Sequence, residues 1–309
     1  MNLARTSLAD LPRTLVDELA VAGLDVAACY DAVVRAVEED LPQGPYGAID
    51  VTSAATIPAD QTGTADFTVR EDGVLAGMVL AEMVFAYCIG PAAQFTGRLG
   101  DGTVVRRGDV AMTVTGPIRG MLTAERTALN FACHLSGVAT ATSHWVAALE
   151  GTSAHVLDTR KTLPGLRMLQ KYAVRCGGGV NHRRSLSEMA MAKDNHVLAA
   201  GGVVPALDAI RHTFPEVRVE VEVTNLDQLR DLLAAGCTSV LLDNMTDAEM
   251  AEAVRIRDES GAACSLEASG GLTLERAAAV AATGVDYISV GALTHSVKVF
   301  DLGMDLRES

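Results

Sequence analysis

Between residues 46 and 116 apolar and polar positions trade places in short runs. Ala65-Asp66-Phe67-Thr68-Val69-Arg70 alternates, Asp72-Gly73 offers a turn, and Val74-Leu75-Ala76 resumes. Such alternation places every second side chain on one face of a half-buried strand. Thr103-Val104-Val105, Arg107-Gly108-Asp109 and Val110 to Val114 repeat the pattern. The spacing predicts two antiparallel hairpins, with a helix over Leu80 to Ile89 alongside.

After about Glu125 the rhythm changes. Val217 to Val223 is a β-branched run, and Asn225 to Ala235 carries leucines at helical spacing before Gly236. Ser239 to Leu242 is apolar again, and Thr246 with Glu249 forms a capping box for a helix ending near Gly261. Ser265-Leu266-Glu267 is the next strand, Thr273 caps an Ala-rich helix to Gly284, and Tyr287 to Val290 follows. Strands recurring every 20 to 25 residues, each followed by a helix, spell successive βα units. Polar residues stand where the strands stop: Asp158 to Lys161, Glu222, Asp243, Glu267 and Ser269. In a parallel barrel those positions converge on one rim, where active sites lie. A doubly wound sheet is the alternative, but no G-x-G-x-x-G follows a first strand, and the barrel is favoured.

A chain of 309 residues with 49% apolar and 21% charged residues has the length of about two domains and ample core. Its net charge of −14 argues against a nucleic-acid or anionic-membrane partner. Met1 to Leu15 shows no apolar leader, and the most hydrophobic stretch, Val74 to Pro91, is broken by Glu82. The six cysteines stand singly, which fits reduced core thiols rather than a disulfide frame or zinc site. These features lead us to expect a cytoplasmic enzyme.

Against that acidic background, residues 160 to 193 hold eight basic side chains and one acid, Glu188. Arg167, Lys171 and Arg184 fit a solvated helix face. Arg160-Lys161 and His182-Arg183, with Arg175 and Lys193, fit it less well, because Arg160-Lys161 follows a strand and His182-Arg183 follows Gly177-Gly178-Gly179. Several cations at strand ends suit a small substrate with several negative charges. Ser269-Gly270-Gly271 and, one unit later, Gly291-Ala292-Leu293 expose backbone N–H groups of the kind that hold a phosphate. Glu222 and Asp243, one strand apart, read either as charge partners of the neighbouring lysines or as groups for sugar hydroxyls or Mg²⁺. No Ser-His-Asp arrangement is visible.

With these residues assembled, the sequence resembles the quinolinate phosphoribosyltransferase family along almost the whole chain. The likeness rests on Glu125-Arg126-Thr127-x-Leu129-Asn130, Ser136-Gly137-Val138-Ala139-Thr140, Asp158-Thr159-Arg160-Lys161-Thr162-x-Pro164-Gly165 and Arg175-Cys176-Gly177-Gly178-Gly179-x-Asn181-His182-Arg183. It continues through Lys193-Asp194-Asn195-His196, Glu220-Val221-Glu222-Val223, Leu242-Asp243-Asn244 and Glu267-Ala268-Ser269-Gly270-Gly271. Ala132 and Ser185 to Met189 depart from the usual family pattern.

The resemblance implies an α/β fold: an N-terminal α/β sandwich over residues 1–130 and an incomplete TIM-like α/β barrel over 131–295, with the tail 296–309 returning to the sandwich. It implies transfer of phosphoribosyl from 5-phosphoribosyl 1-pyrophosphate to quinolinate with loss of CO₂, dependent on Mg²⁺. Arg126, Arg160, Lys161, His182 and Arg183 would hold the quinolinate dianion and Lys193 the donor, with Thr159 among the substrate-binding residues. Glu222 and Asp243 would face the ribose and Mg²⁺, directly or through water, with Lys161 completing the catalytic set. Ser269, Gly270, Gly271, Gly291, Ala292 and Leu293 would hold the 5-phosphate, and His295 would bind substrate as well. The family pairs subunits head to tail, so Arg126, expected at the start of a helix, would act on the partner's barrel in a homodimer, which could assemble further. Two other readings stand beside this one. A barrel aldolase would use Lys161 or Lys193 as a Schiff-base amine, and a related pyrophosphorylase-like protein would act on another base.

Overall fold

The computed structural model describes residues 3–308; residues 1, 2 and 309, at the outer ends of the expected domain bounds, lie outside the described residues. The first strands are β1 (Thr62–Val69), β2 (Gly73–Val74), β3 (Gln94–Thr96), β4 (Val104–Val105) and β5 (Val110–Pro117). Then come β6 (His155–Leu157), β7 (Ala190–Ala192), β8 (Val219–Val223), β9 (Ser239–Asp243), β10 (Ser265–Ser269), β11 (Tyr287–Ser289) and β12 (Leu302–Leu306). The chain divides into two compact units, the first comprising Met1–Thr140, Met168–Gly177 and Val297–Ser309, the second Ala141–Arg167 and Gly178–Ser296.

The first unit is built on a four-stranded antiparallel sheet in the order β12-β1-β5-β3. Ala65, Phe67 and Val69 of β1 and Ala111, Met112 and Val114 of β5 turn inward and are fully or almost fully buried. The helix Met78–Ile89 packs in this unit with nearly every side chain buried. Asp101 closes its start, accepting from the Gly77 and Met78 amides at 2.9 Å. Gly77 has φ of 84°, and a Cβ there would lie 2.8 Å from Leu135 Cδ1, so glycine is required on both grounds. The two expected hairpins do not form. β1 pairs with β5 and β12, while β2 pairs with β4. The alternation found the strands, but only non-local packing decides which strands meet.

The second unit is a six-stranded parallel sheet in the order β6-β11-β10-β9-β8-β7. Its outer strands do not pair among the described residues, so the α/β barrel is incomplete. All of β8 is buried, and its two-residue period sends Val219, Val221 and Val223 to one face and Glu220 and Glu222 to the other. Helices alternate with the strands. The helix Asp247–Ser260 carries the expected Thr246–Glu249 box and ends at left-handed Gly261. Thr273, by contrast, makes no side-chain cap and precedes a 3₁₀ turn, Leu274–Arg276, before the short helix Ala277–Ala281.

Candidate active site

The C-terminal ends of the parallel strands bring together Thr159, Arg160, Lys161, His182, Arg183, Lys193 and Ser269 around a cavity of about 250 Å³, with Glu267 and Ser289 in its wall. The first three follow β6. Lys161 is fixed at its backbone, where its amide donates to Thr159 Oγ1 at 3.0 Å and its carbonyl accepts from Thr294 Oγ1 at 2.8 Å. Only its side chain is left to reach into the cavity. Arg160 Nε is buried without a hydrogen-bond partner among the described residues, a donor that an anion would satisfy. Burial, and then the charge of Arg160, lowers the pKa of Arg183, as expected where two guanidiniums face one space.

His182 and Arg183 are delivered by the stretch after the three glycines, which runs parallel to β6 through a Leu157–Val180 bridge. Fully buried Asp158 fixes this stretch, accepting from Asn181 Nδ2 at 2.6 Å and from the His182 amide at 2.9 Å. The Arg183 guanidinium is aimed by a 2.8 Å bond to the Met189 carbonyl. The His182 ring sits between two buried carboxylates, with Nε2 3.0 Å from Glu220 and 3.3 Å from Glu267. Its Nδ1 accepts the Arg183 amide at 2.6 Å, which in the neutral ring keeps the proton on Nε2. Burial disfavours charge on the ring, but the bonds to Glu220 and Glu267 outweigh it and raise its pKa to about 9. Burial raises Glu267 in turn. The His182 ring thus bridges the two carboxylates from a single nitrogen.

Of the two expected carboxylates, Glu222 meets one of these cations, and Asp243 pairs in register with Ser269. Lys193 Nζ is 3.1 Å from Glu222 Oε2, and the Asp194 amide donates to Glu222 Oε1 at 3.3 Å. Asp243, at the end of β9, accepts from Asn244 Nδ2 at 2.9 Å. Three of the four oxygens are thus already engaged, a donor set that does not fit a Mg²⁺ ion caged by the protein alone. Among the described residues the group that brings three possible ligand atoms within 4.8 Å of one another is instead His182, Glu220 and Glu267. There the His182 Nε2 already contacts both carboxylates, and nitrogen suits Mg²⁺ poorly.

Gly270 and Gly271 both have positive φ, and a Cβ on Gly270 would collide with the Asn244 amide. At the neighbouring strand end a Cβ on Gly291 would lie 3.0 Å from Lys161 Cδ and 3.2 Å from His295 Nε2. Ala292 and Leu293 open the one-turn helix Ala292–His295; Leu293 is buried, leaving its backbone for ligand contact. Arg126 belongs to the first unit and lies within the helix Ile118–Ala148, not at a helix start, with its side chain exposed.

Two basic residues depart from the charge-based reading. Lys171 is not on a solvated face but buried in the helix Arg167–Cys176. Arg175 bonds the Ala22 carbonyl and stacks over Tyr172 in the first unit, outside the cation cluster. Asp158, Glu220 and Glu267 stood in the motifs without an assigned role. The two-residue period of β8 was the available signal, since it turns Glu220 to the same face as Glu222.

Comparison with known proteins supplies an independent test. The family model for the quinolinate phosphoribosyl transferase N-terminal domain matches residues 50–136, and that for its C-terminal domain matches 138–305. A nicotinate-nucleotide pyrophosphorylase [carboxylating] from Mycobacterium leprae is 50% identical over 280 residues, 90% of this chain and 97% of that one. A probable enzyme of the same name from Bacillus subtilis is 39% identical over 264 residues, 85% of this chain and 90% of that one. The solved nicotinate-nucleotide pyrophosphorylase of Francisella tularensis superimposes with a TM-score of 0.85 at 38% identity, covering 91% of this chain and 96% of that one. The chain belongs to the quinolinate phosphoribosyl transferase family.

Proposed function

We propose that the protein transfers the phosphoribosyl group of 5-phosphoribosyl 1-pyrophosphate to the ring nitrogen of quinolinate and releases pyrophosphate, CO₂ and nicotinate mononucleotide, a step of NAD biosynthesis. The observation that carries this reading is the convergence of Arg160, Lys161, Arg183 and Lys193 on one cavity in a chain of net charge −14. A dianionic ring is held there by charge-assisted hydrogen bonds worth about 1.5–3 kcal/mol each. The 5-phosphate of the donor sits against the amides of Ser269 to Gly271 and Gly291 to Leu293, with His295 beside them.

Loss of pyrophosphate leaves positive charge on the ribose, and the carboxylates of Glu222 and Asp243 stabilise it by position alone. Ribosylation makes the ring nitrogen cationic, and that charge draws in the electron pair left when CO₂ departs, so no decarboxylating base is needed. Mg²⁺ brought with the donor would offset the charge of the pyrophosphate leaving group, and Asp243 would be the residue to hold it through water. The chain acts as a cytoplasmic homodimer, in which Arg126 of one subunit completes the quinolinate clamp of the other.

A fall in quinolinate absorbance on mixing with donor and Mg²⁺, and in neither's absence, is the expected result. Trapping of Lys161 or Lys193 by borohydride would instead favour Schiff-base chemistry.

A further inference from the structure

Every turnover of the proposed reaction consumes a proton. When CO₂ leaves, the bond from ring carbon to carboxylate breaks, its electron pair stays on carbon, and a new C–H bond must form there. A second cavity of about 280 Å³ lies at the opposite, N-terminal ends of the parallel strands, lined by Arg218, Thr238, Ser239, Ser265 and Tyr287. His182, Arg183 and Glu267 line both cavities. A continuous row of polar contacts joins the two. Ser265 Oγ donates to Ser239 Oγ at 3.3 Å, and Ser239 Oγ donates to Glu220 Oε1 at 2.9 Å. Glu220 Oε2 is 3.0 Å from His182 Nε2, which is 3.3 Å from Glu267 Oε2.

From this row we infer that Glu267 is the acid that protonates the decarboxylated ring carbon, and that His182, Glu220 and Ser239 return its proton from the second cavity. The inference rests on the reaction proposed above. In the step, the Glu267 O–H bond breaks as the carbon lone pair takes the proton; the carboxylate regains one from the His182 side, and water in the second cavity supplies the row. Burial raises the Glu267 pKa, the direction a proton donor needs, and the 3.3 Å contact with His182 gives it a route to regain its proton. The competing groups in the same wall are poorer donors. Arg160 and Arg183 do not release protons, and Lys193 is held by Glu222. Lys161 is the remaining competitor outside the row, and the test separates it.

Rapid-quench assays on the full chain, with donor, Mg²⁺ and quinolinate, follow pyrophosphate and nicotinate mononucleotide separately. Glu267→Gln is expected to release pyrophosphate in the first turnover within a few-fold of the parent, while nicotinate mononucleotide forms about 100-fold more slowly, the usual contribution of a positioned acid. Ser239→Ala, remote from the cation cavity and mild for the fold, is expected to slow product formation in turnovers after the first and to enlarge its solvent deuterium effect. Equal slowing of both products in Glu267→Gln would overturn the inference by placing Glu267 in binding or ribosyl transfer. No slowing in either variant would also overturn it, leaving Lys161 or water at the cavity mouth as the donor. A parent enzyme that released no pyrophosphate at all would overturn the proposed function and this inference together.

Discussion

The Lys193 ammonium lies 3.1 Å from the Glu222 carboxylate; Lys193 directly follows β7, and Glu222 lies in the neighbouring strand β8. Glu222 is 8% exposed at its side chain and Lys193 47%, so a buried anion is matched by a cation open to the cavity. Glu222→Gln deletes the charge and keeps an acceptor oxygen for only one of the two donors, Lys193 Nζ and the Asp194 amide. Turnover should fall about 100-fold, the scale of losing one positioned electrostatic group, with the melting temperature moved by only a few degrees. Activity near that of the parent would remove Glu222 from ribose stabilisation.

The two substrates should be separable by mutation. Arg183→Ala removes one aimed cation and should weaken quinolinate by about one to two decades while sparing the donor. Gly270→Ala forces a side chain into φ of 92° and against Asn244, so it should weaken the donor and spare quinolinate. Calorimetric titration of each variant with each ligand checks this, and a reversed pattern would exchange the two subsites.

Stability should carry the mark of the His182 cluster. A ring held at about 9 binds its proton more tightly folded than unfolded, where the ordinary value is about 6.5. The stabilisation is complete below the unfolded value and is lost as pH rises through the folded one, with a slope of at most about 1.4 kcal/mol per pH unit. Urea unfolding across that window should show the decline in the parent and a flatter line in Glu220→Gln. A parent curve without slope would contradict the raised value of His182.

Arg126→Ala and Lys161→Ala, each inactive alone, test whether sites are shared between subunits. Each mixed dimer of a shared-site enzyme regains one intact site of two, so activity per mixed dimer approaches half of the parent's. Demonstrated subunit exchange without recovery would return Arg126 to its own chain.

Much of this was legible in the sequence because βα rhythm and charge placement are local signals. The strands from β8 to β11, the Thr246–Glu249 box and the cations after β6 all follow from spacing within about a dozen residues. What was not legible depends on distant partners. The hairpin expectation failed because β1 meets β5 and β12 rather than its sequence neighbour. Lys171 read as solvated because a basic residue in a basic run gives no sign of burial. Glu220 and Glu267 acquire a role only when His182, from a separate segment, is set between them.

The most direct test of the central claim is the fate of labelled carbon in quinolinate carrying ¹⁴C in the carboxylate beside the ring nitrogen. The account predicts that, with donor and Mg²⁺, released ¹⁴CO₂ matches pyrophosphate one for one and the nucleotide product carries no label. Label retained in the product, or CO₂ released without donor, would contradict it.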